Sequence, residues 1–237
     1  MMRWLQIRFH APLASFGGEI IDVHGVIRDF PAQSMLTGLF ANALGWTRAM
    51  REEHQTLQDR IIYGVLHEEE PMLGRITDYQ TAQLSKSDKS WTTRGVPADR
   101  AGGAISYRGA HQRWRDYHAD LRMLGVVRLS PDDVVPTLDD LTNALAQPAR
   151  PLFIGRKPCL PSAPIFSGWI EAPDMHTALR NIAPTSGGSF RAFWPASEGT
   201  DDSDRTTFVT DERNWITGLH GGARQICEGR IFGREDE

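Results

Sequence analysis

Cysteine and long apolar runs are both scarce in this chain of 237 residues. The two cysteines, Cys159 and Cys227, lie far apart and form no metal-ligand pattern, so we expect inert thiols, no metal and a reducing, cytoplasmic setting. No apolar run approaches the roughly 18 residues that a membrane-spanning helix requires. The first residues mix apolar and charged side chains, which is typical of a strand rather than a signal peptide. We therefore expect no membrane partner.

The common signatures of nucleotide-binding and hydrolytic enzymes are missing as well. The sequence contains no Walker A loop, no His-Glu-x-x-His, no Gly-x-Ser-x-Gly and no clustered carboxylates suited to two-metal catalysis. Gly102-Gly103 and Gly221-Gly222 are too short to be nucleotide fingerprints. We therefore expect no cofactor.

Positive charge is low overall but is concentrated in one segment. A net charge of −4 argues against a protein that coats nucleic acid indiscriminately. Between Leu84 and Arg128, nine basic residues stand against four acidic ones, so this segment carries +5 and the rest of the chain −9. The basic residues are Lys86, Lys89, Arg94, Arg100, Arg108, Arg113, Arg115, Arg122 and Arg128. This asymmetry predicts a local basic path on an otherwise acidic protein.

The pattern of apolar and turn residues predicts an α+β fold, with a sheet and helices on one face. A βαββαβ ferredoxin-like unit is the natural small member of that class. Residues 74–81 could be the hairpin partner of the strand before them. The predicted strands are 3–9, 60–66, 113–117 leading into 121–129, 165–170, 189–194, 206–210 and 215–219. The predicted helices are 34–45, one starting at Thr137 and ending before Pro148, and 174–181 with Asp174 as its cap.

Two segments differ from the rest. Residues 82–110 are dominated by Ser, Lys, Asp, Gly and Arg, which predicts either a projecting hairpin that orders on binding or a plain flexible insertion. The helix after Phe30-Pro31 is predicted to be capped by Ser34, and its free N–H groups would favour a phosphate. An ordinary capped core helix is the alternative.

Arginine and aromatic residues alternate around position 114. Arg108, Arg113 and Arg115 are interleaved with Tyr107, Trp114 and Tyr117. Arginine pairs with phosphate through a planar fork, and aromatic rings stack on unpaired bases, so this pattern predicts RNA binding. An amphipathic strand with Trp114 in the core is the alternative. Gly155-Arg156-Lys157 forms a second basic element, in which the glycine allows close backbone approach.

Taken together, several motifs resemble the CasD family, the subunit that binds the 5′ handle of crRNA in type I-E CRISPR Cascade. The matches span roughly residues 3 to 170. They are Ala11-Pro12-Leu13-Ala14-Ser15-Phe16-Gly17, Phe30-Pro31-x-x-Ser34-x-Leu36-x-Gly38-Leu39, Asp78-Tyr79-x-Thr81, Trp114-Arg115-Asp116-Tyr117 and Pro151-Leu152-Phe153-Ile154-Gly155-Arg156-Lys157-x-Cys159.

The resemblance implies a ferredoxin-like domain of the RAMP superfamily over residues 1–81 and 111–183. It also implies a thumb hairpin at 82–110 and a β-rich C-terminal segment at 184–237. The implied role is non-catalytic and antiviral: this subunit holds the crRNA handle and caps the backbone filament. It contacts the large subunit that reads the PAM, and meets target DNA only through the complex.

The resemblance also implies a set of RNA contacts. Ser34 would lie beside the RNA at a helix start, Arg115 at the base of the thumb, and Arg156 and Lys157 in the basic turn. Gln33 stands where a basic residue is expected, so that contact would be neutral. The full set of expected RNA-binding residues is Gln33, Ser34, Arg108, Arg113, Arg115, Tyr117, Arg156 and Lys157.

Two other functions remain open from the sequence. The chain could be a metal-independent endoribonuclease that processes pre-crRNA, as a related subunit does in type I-C systems. Its catalytic residues would then be Lys89, Tyr107 and His111, and His118 with Tyr117 could supply a further acid–base pair. The chain could also be a stand-alone RNA-binding protein, which would be a stable monomer without partner subunits.

Overall fold

The structure is a computed structural model that describes residues 1–69, 74–83, 90–91, 97–98, 110–185, 188–200 and 203–233. Its strands are β1 (Met2–Ala14), β2 (His24–Gly25), β3 (Ile61–His67), β4 (Arg75–Ala82), β5 (Ser90–Trp91), β6 (Pro97–Ala98), β7 (His111–Leu129), β8 (Phe166–Ala172), β9 (Ser189–Pro195), β10 (Ser203–Val209) and β11 (Arg224–Phe232). Its helices are α1 (Gln33–Ala43), α2 (Arg51–Arg60), α3 (Leu138–Ala146) and α4 (Met175–Ile182).

One large sheet organises the protein, in the strand order β10-β11-β9-β3-β7-β1-β8. All neighbours in this order are antiparallel. Strand β7 is 19 residues long, and β1 and β3 flank its second half while β4 pairs with its first half. The C-terminal strands β9, β10 and β11 extend the same sheet through the β9–β3 pair. The α+β class is therefore confirmed.

The sheet buries apolar side chains on both faces. Leu5, Ile7 and Phe9 pack into one core with α1, α2 and α3, whereas Trp4 points to a second core with α4. Alternating side chains of a strand point to opposite faces, so a strand with large apolar residues at both parities needs cover on both sides. The expectation of helices on one face is wrong for this reason.

The hairpin partner predicted for residues 74–81 is also wrong. Strand β4 pairs with β7, from Arg75 opposite His118 to Ala82 opposite His111. Strand β3 offers no free edge there, because β7 and β9 occupy its two sides. Strands β4 and β7 flank residues 82–110, and the thumb predicted for that segment stays a prediction. Of residues 82–110, the structure describes 82–83, 110 and the backbone of the short pair β5–β6, so the calls on Lys86, Lys89, Arg94, Arg100, Tyr107 and Arg108 and on the Trp91 side chain lie outside the described residues.

Helix boundaries follow the capping residues. Thr137 caps α3, with its hydroxyl accepting from the Asp140 N–H and the Asp140 carboxylate accepting from the Thr137 N–H. Asp174 caps α4 as expected, accepting from the Thr177 N–H at 2.7 Å. None of the helices in the described part of the chain is long and apolar enough to cross a membrane.

The sequence patterns predicted one strand wrongly, at residues 215–219, and did not predict helix α2 or strand β11. Residues 215–219 form a turn instead of a strand, because the Asn214 side chain accepts from the Thr217 N–H and the Asn214 carbonyl from Gly218. Helix α2 was missed because it is mostly polar and contributes only Leu57 as an apolar core residue. Strand β11 was missed because Gly and charged residues interrupt its apolar pattern.

Candidate nucleic-acid interface

A cleft of about 1240 Å³ lies over the outer side of α1. Ser34, Met35, Gly38 and Asn42 of that helix line it, together with the segments 15–28, 150–156 and 210–220. Its charged lining residues are Arg28, Arg48, Arg115, Arg150, Arg156 and Arg213 against Glu19 and Asp211. The two carboxylates are paired, Glu19 with Arg28 at 3.4 Å and Asp211 with Arg224 at 2.7 Å. The excess of arginine fits an extended anionic ligand such as a phosphate backbone.

The start of α1 is capped from within the protein. Ala32 is the N-cap residue and Ser34 makes no capping bond, so the predicted cap is wrong. Asp211 takes its place: its carboxylate accepts from the Gln33 N–H at 3.0 Å, and its backbone carbonyl accepts from the Ser34 N–H at 3.0 Å and the Ser34 hydroxyl at 2.9 Å. These donors are therefore not available to a phosphate, and side chains must bind any anion here.

Gln33 lies beneath the cleft, with 6% of its surface exposed. Its side-chain amide donates to the Gln58 carbonyl at 2.9 Å and the Ile61 carbonyl at 2.8 Å. These bonds tie α1 to the end of α2 and the start of β3. The expectation that the Gln33 side chain faces RNA is corrected, because the folded protein uses its amide internally.

Asp211 is the buried anchor of the C-terminal segment that borders the cleft. Arg224 donates to both carboxylate oxygens, at 2.9 and 2.7 Å, and to the Tyr63 hydroxyl at 2.5 Å. Burial opposes the charge of Arg224, but Tyr63 and Asp211 outweigh that effect and raise its pKa. Burial raises the pKa of Tyr63, which keeps its hydroxyl protonated. One carboxylate thus fixes β11, the segment before it and the start of α1 together.

Arg115 and Arg156 come together above Gly25, and we call these three residues with Ser15 and Gly155 the basic region. A Cβ on Gly25 would lie 2.9 Å from Arg115 Nη1 and 2.9 Å from Arg156 Nη2, so these nitrogens are no more than twice that distance apart. Arg156 donates to the Asp116 carbonyl at 3.0 Å and the Gly25 carbonyl at 3.3 Å. The Arg115 side chain has no hydrogen-bond or ion-pair partner among the described residues. Two neighbouring guanidinium groups, neither of them in an ion pair within the described ranges, favour a bound anion.

Gly155 brings the basic loop against the first strand. Its φ is +86°, and a Cβ at this position would lie 1.7 Å from the Ser15 carbonyl oxygen, so only glycine fits. The close backbone approach that this glycine permits is to Ser15, whose N–H donates to the Ile154 carbonyl at 3.1 Å, so its approach to a phosphate stays a prediction. The Ser15 hydroxyl is buried at the cleft wall without a hydrogen-bond partner in the described structure.

The other predicted contacts are spread around this region. Tyr117 is 4% exposed and lies under the Arg156 guanidinium at 4.9 Å from the ring centre, so it supports Arg156 and its ring is not free to stack on a base. Arg113 lies on the same face of β7 as Arg115 but does not line the cleft, and it donates to the Gln112 carbonyl. Lys157 is exposed just beyond the cleft, and Arg108 lies outside the described residues.

The histidines proposed for catalysis do not converge. His111 and His118 are seven residues apart on β7, which at about 3.3 Å per residue separates them by roughly 23 Å. Burial lowers the pKa of His118, whose Nε2 contacts the Arg28 carbonyl at 2.7 Å. Lys89 and Tyr107 belong to the part of the chain that is not described. Within the described ranges, no group of three or more His, Cys, Asp or Glu side chains is placed to hold a metal.

Sequence reasoning missed several residues of the cleft, including four that lie close together. Trp46, His54, Arg213 and Trp215 line it beyond Gly38 of α1, and we call them the aromatic cluster. They are separated by up to 169 positions in the chain, and no short motif connects them. The one signal available was the presence of tryptophans next to arginines at 46–48 and 213–215.

The fold and the cleft can now be compared with known proteins. The sequence model of the family described as CRISPR-associated protein (Cas_Cas5) matches residues 4–227. The chain belongs to this Cas5 family. It is 25% identical over 187 residues to the CRISPR system Cascade subunit CasD of Escherichia coli (strain K12), covering 79% of this chain and 80% of that protein.

Two solved structures share the Cas5 fold seen here. One is described as a CRISPR RNA-guided surveillance complex, and its matching chain gives a TM-score of 0.70 at 18% identity, covering 97% of this chain and 90% of that chain. The other, described as the crystal structure of a Cas protein, gives a TM-score of 0.59 at 20% identity and covers 98% of both chains. At these identities the likeness shows the fold, and the family assignment comes from the sequence model.

Proposed function

We propose that this Cas5 family chain is a non-catalytic subunit of a type I-E Cascade surveillance complex and holds the 5′ handle of crRNA in the cleft over α1. The observation that carries the proposal is the meeting of Arg115 and Arg156 above Gly25, with Arg115 free of partners within the described residues. Membership of the family, and the relative named as a Cascade subunit, support the assembly part of the proposal.

The size and composition of the cleft favour a single-stranded RNA end over a long duplex as its ligand. The cleft is short, since the stretch of α1 from Ser34 to Asn42 covers about 12 Å at 1.5 Å per residue. Its arginines are interspersed with aromatic rings, a composition suited to unpaired nucleotides whose bases are splayed out. The net charge of −4 also argues against binding of RNA over the whole surface of the protein.

The roles in assembly follow from the resemblance to CasD. In this proposal the subunit caps the backbone filament and contacts the large PAM-reading subunit, so target DNA meets it only through the complex. A stand-alone RNA-binding protein would instead bind its RNA fully without partner subunits. Co-purification of the co-expressed Cascade subunits and repeat RNA, followed by sequencing of the bound RNA, separates the two.

The substitution Arg115→Ala tests the cleft directly. A charge-assisted bond to phosphate is worth roughly 1.5–3 kcal/mol. We therefore expect the variant complex to bind crRNA about ten- to 100-fold more weakly than the wild-type complex does. Arg115→Lys should recover part of the loss, because a point charge replaces a planar fork. The matched control is Arg180→Ala, an exposed arginine on α4 at the other face of the sheet. Equal RNA affinity and complex yield in Arg115→Ala and Arg180→Ala would refute the proposed site.

The non-catalytic role has its own test. The purified chain incubated with labelled repeat RNA in EDTA should leave that RNA intact. A single-site product that is lost in His111→Ala would establish the endoribonuclease instead.

A further inference from the structure

The aromatic cluster forms a wall of packed rings inside the cleft, with one tilted and one edge-to-face contact. The His54 ring centre lies 4.6 Å from that of Trp215 and 5.4 Å from that of Trp46. The Arg213 guanidinium lies 5.1 Å over the Trp215 ring. Both tryptophans are partly buried, and each also lines the cleft.

Two glutamines of α2 hold this wall in place. The Gln55 side-chain carbonyl accepts from the Trp215 N–H at 2.9 Å. The Gln58 side-chain carbonyl accepts from the Trp215 indole N–H at 2.9 Å and the Arg213 N–H at 3.2 Å. The rings are therefore fixed before any ligand arrives, which lowers the entropy lost on binding.

Polar atoms at the edge of the cluster remain unsatisfied. His54 Nδ1 contacts the Met50 carbonyl, so in the neutral imidazole Nδ1 carries the hydrogen and Nε2 is an acceptor. Among the described residues, neither His54 Nε2 nor the Trp46 indole N–H has a hydrogen-bond partner. Arg213 Nε is buried without one as well. Ring faces beside an unpaired donor and acceptor match a planar heteroaromatic ligand.

We propose that the aromatic cluster is a nucleobase pocket, in which one unpaired base of the bound RNA stacks on Trp46, or on Trp215 in place of the Arg213 guanidinium, and hydrogen-bonds to His54 or Trp46. This inference rests on the proposed function, since the same cleft would hold the phosphates at Arg115 and Arg156. The continuity of the two sites along α1 identifies the ligand as a nucleotide strand. A peptide without acidic side chains would leave the arginine excess of the cleft unmatched.

The experiment compares two probes of equal length: a short oligoadenylate and an abasic ribose–phosphate oligomer. Wild-type chain should bind the oligoadenylate more tightly. Trp215→Ala should weaken oligoadenylate binding by roughly 5- to 100-fold, the range found for loss of one base–aromatic stack, and leave the abasic oligomer unchanged. Trp215→Phe, which keeps a ring, should restore most of the affinity. The matched control is Trp169→Ala, which removes a tryptophan stacked under Arg3 at 3.6 Å and outside the cleft.

The outcomes separate this proposal from the previous one. Equal binding of both probes to the wild-type chain, or an equal loss for both in Trp215→Ala, would overturn the base pocket while phosphate binding stands. If Arg115→Ala changes neither probe, the cleft is not the RNA site and both proposals fail. If circular dichroism shows that Trp215→Ala is unfolded, the proposal is tested instead by tryptophan fluorescence of the wild type and of Trp215→Phe. Quenching by oligoadenylate should be larger in the wild type, and equal quenching would refute a stack on Trp215.

Discussion

The basic region and the aromatic cluster share one cleft but are built differently. In the basic region, Arg115 and Arg156 belong to short motifs, and the loop at Gly155 is held by backbone contact with Ser15. In the aromatic cluster, Trp215 is positioned by side chains of α2 that lie 155 or more residues away in sequence. The comparison teaches that the phosphate contacts here depend on one close backbone approach, between Gly155 and Ser15, whereas the ring wall depends on docking of the C-terminal segment.

The largest effect is expected for Asp211→Ala, which should disturb the aromatic cluster but not the basic region. Asp211→Ala removes the buried partner of Arg224 and the cap of α1, and breaking such a pair costs about 3–5 kcal/mol. We expect a lower free energy of unfolding in urea and weaker oligoadenylate binding. Binding of the abasic oligomer at low temperature, where the variant is folded, should change little. Asp139→Ala is the control, because its pair with Arg3 is exposed and worth about 0–1 kcal/mol. An equal loss of affinity for both RNA probes would contradict the claim that the basic region and the aromatic cluster are held in place independently.

The second prediction concerns Gly155. An alanine there would meet the Ser15 carbonyl and adopt a left-handed backbone, so we expect a loss of about 3 kcal/mol in unfolding free energy. Gly74→Ala is a matched control, since Gly74 has φ +61° but nothing within 4 Å of its Cβ position. The control should cost only about 1 kcal/mol. Chemical denaturation of the two variants measures the difference, and equal costs would mean that the loop can move away from Ser15.

The substitution Gly25→Ala should weaken RNA binding without changing the stability of the fold. In Gly25→Ala the new methyl group would displace only the flexible ends of Arg115 and Arg156. We expect an unchanged melting temperature and abasic-oligomer affinity reduced by about three- to tenfold, less than a full charge-assisted bond. Gly221→Ala should have no effect, because nothing lies within 4 Å of that position. Unaltered affinity in Gly25→Ala would show that the two guanidinium groups need not meet at this point.

The smallest effect is a dependence on pH near the basic region. Burial would raise the pKa of Asp29, but hydrogen bonds from Arg75 and Arg191 outweigh it and lower that pKa. A lowered native pKa stabilises the fold above the unfolded value near 4, and this contribution is lost as pH falls through the native value. Asp29→Asn should therefore cost about 1 kcal/mol at pH 7 and less at pH 3. Urea titrations at both pH values measure it, and a cost that grows toward acid would reverse the sign.

Sequence patterns predicted most of the fold that depends on local signals. Strand β3, the caps of α3 and α4, and the glycine at 155 follow from periodicity and single-residue chemistry. The partner of β4, the burial of Gln33 and the capping of α1 by Asp211 depend on contacts over tens to hundreds of positions. No periodicity carries that information, since it arises only when the sheet has formed.

The same division holds for the candidate site. Ser34, Arg115 and Arg156 were predicted and lie together in the cleft, while Tyr117 was predicted and turned out to support Arg156 from below. The aromatic cluster could not be predicted, because it forms only when α2 contacts the segment after β10, through Gln55, Gln58 and the contact between the His54 and Trp215 rings.

Photochemical cross-linking of crRNA within the purified complex, mapped by mass spectrometry, tests the central claim most directly. If the handle occupies the cleft over α1, handle nucleotides should cross-link to peptides from segments 15–28, 150–156 and 210–220, with Trp215 and Trp46 as the favoured sites. Cross-links confined to α4 and the sheet face it covers would contradict the account, because that face lies opposite the cleft.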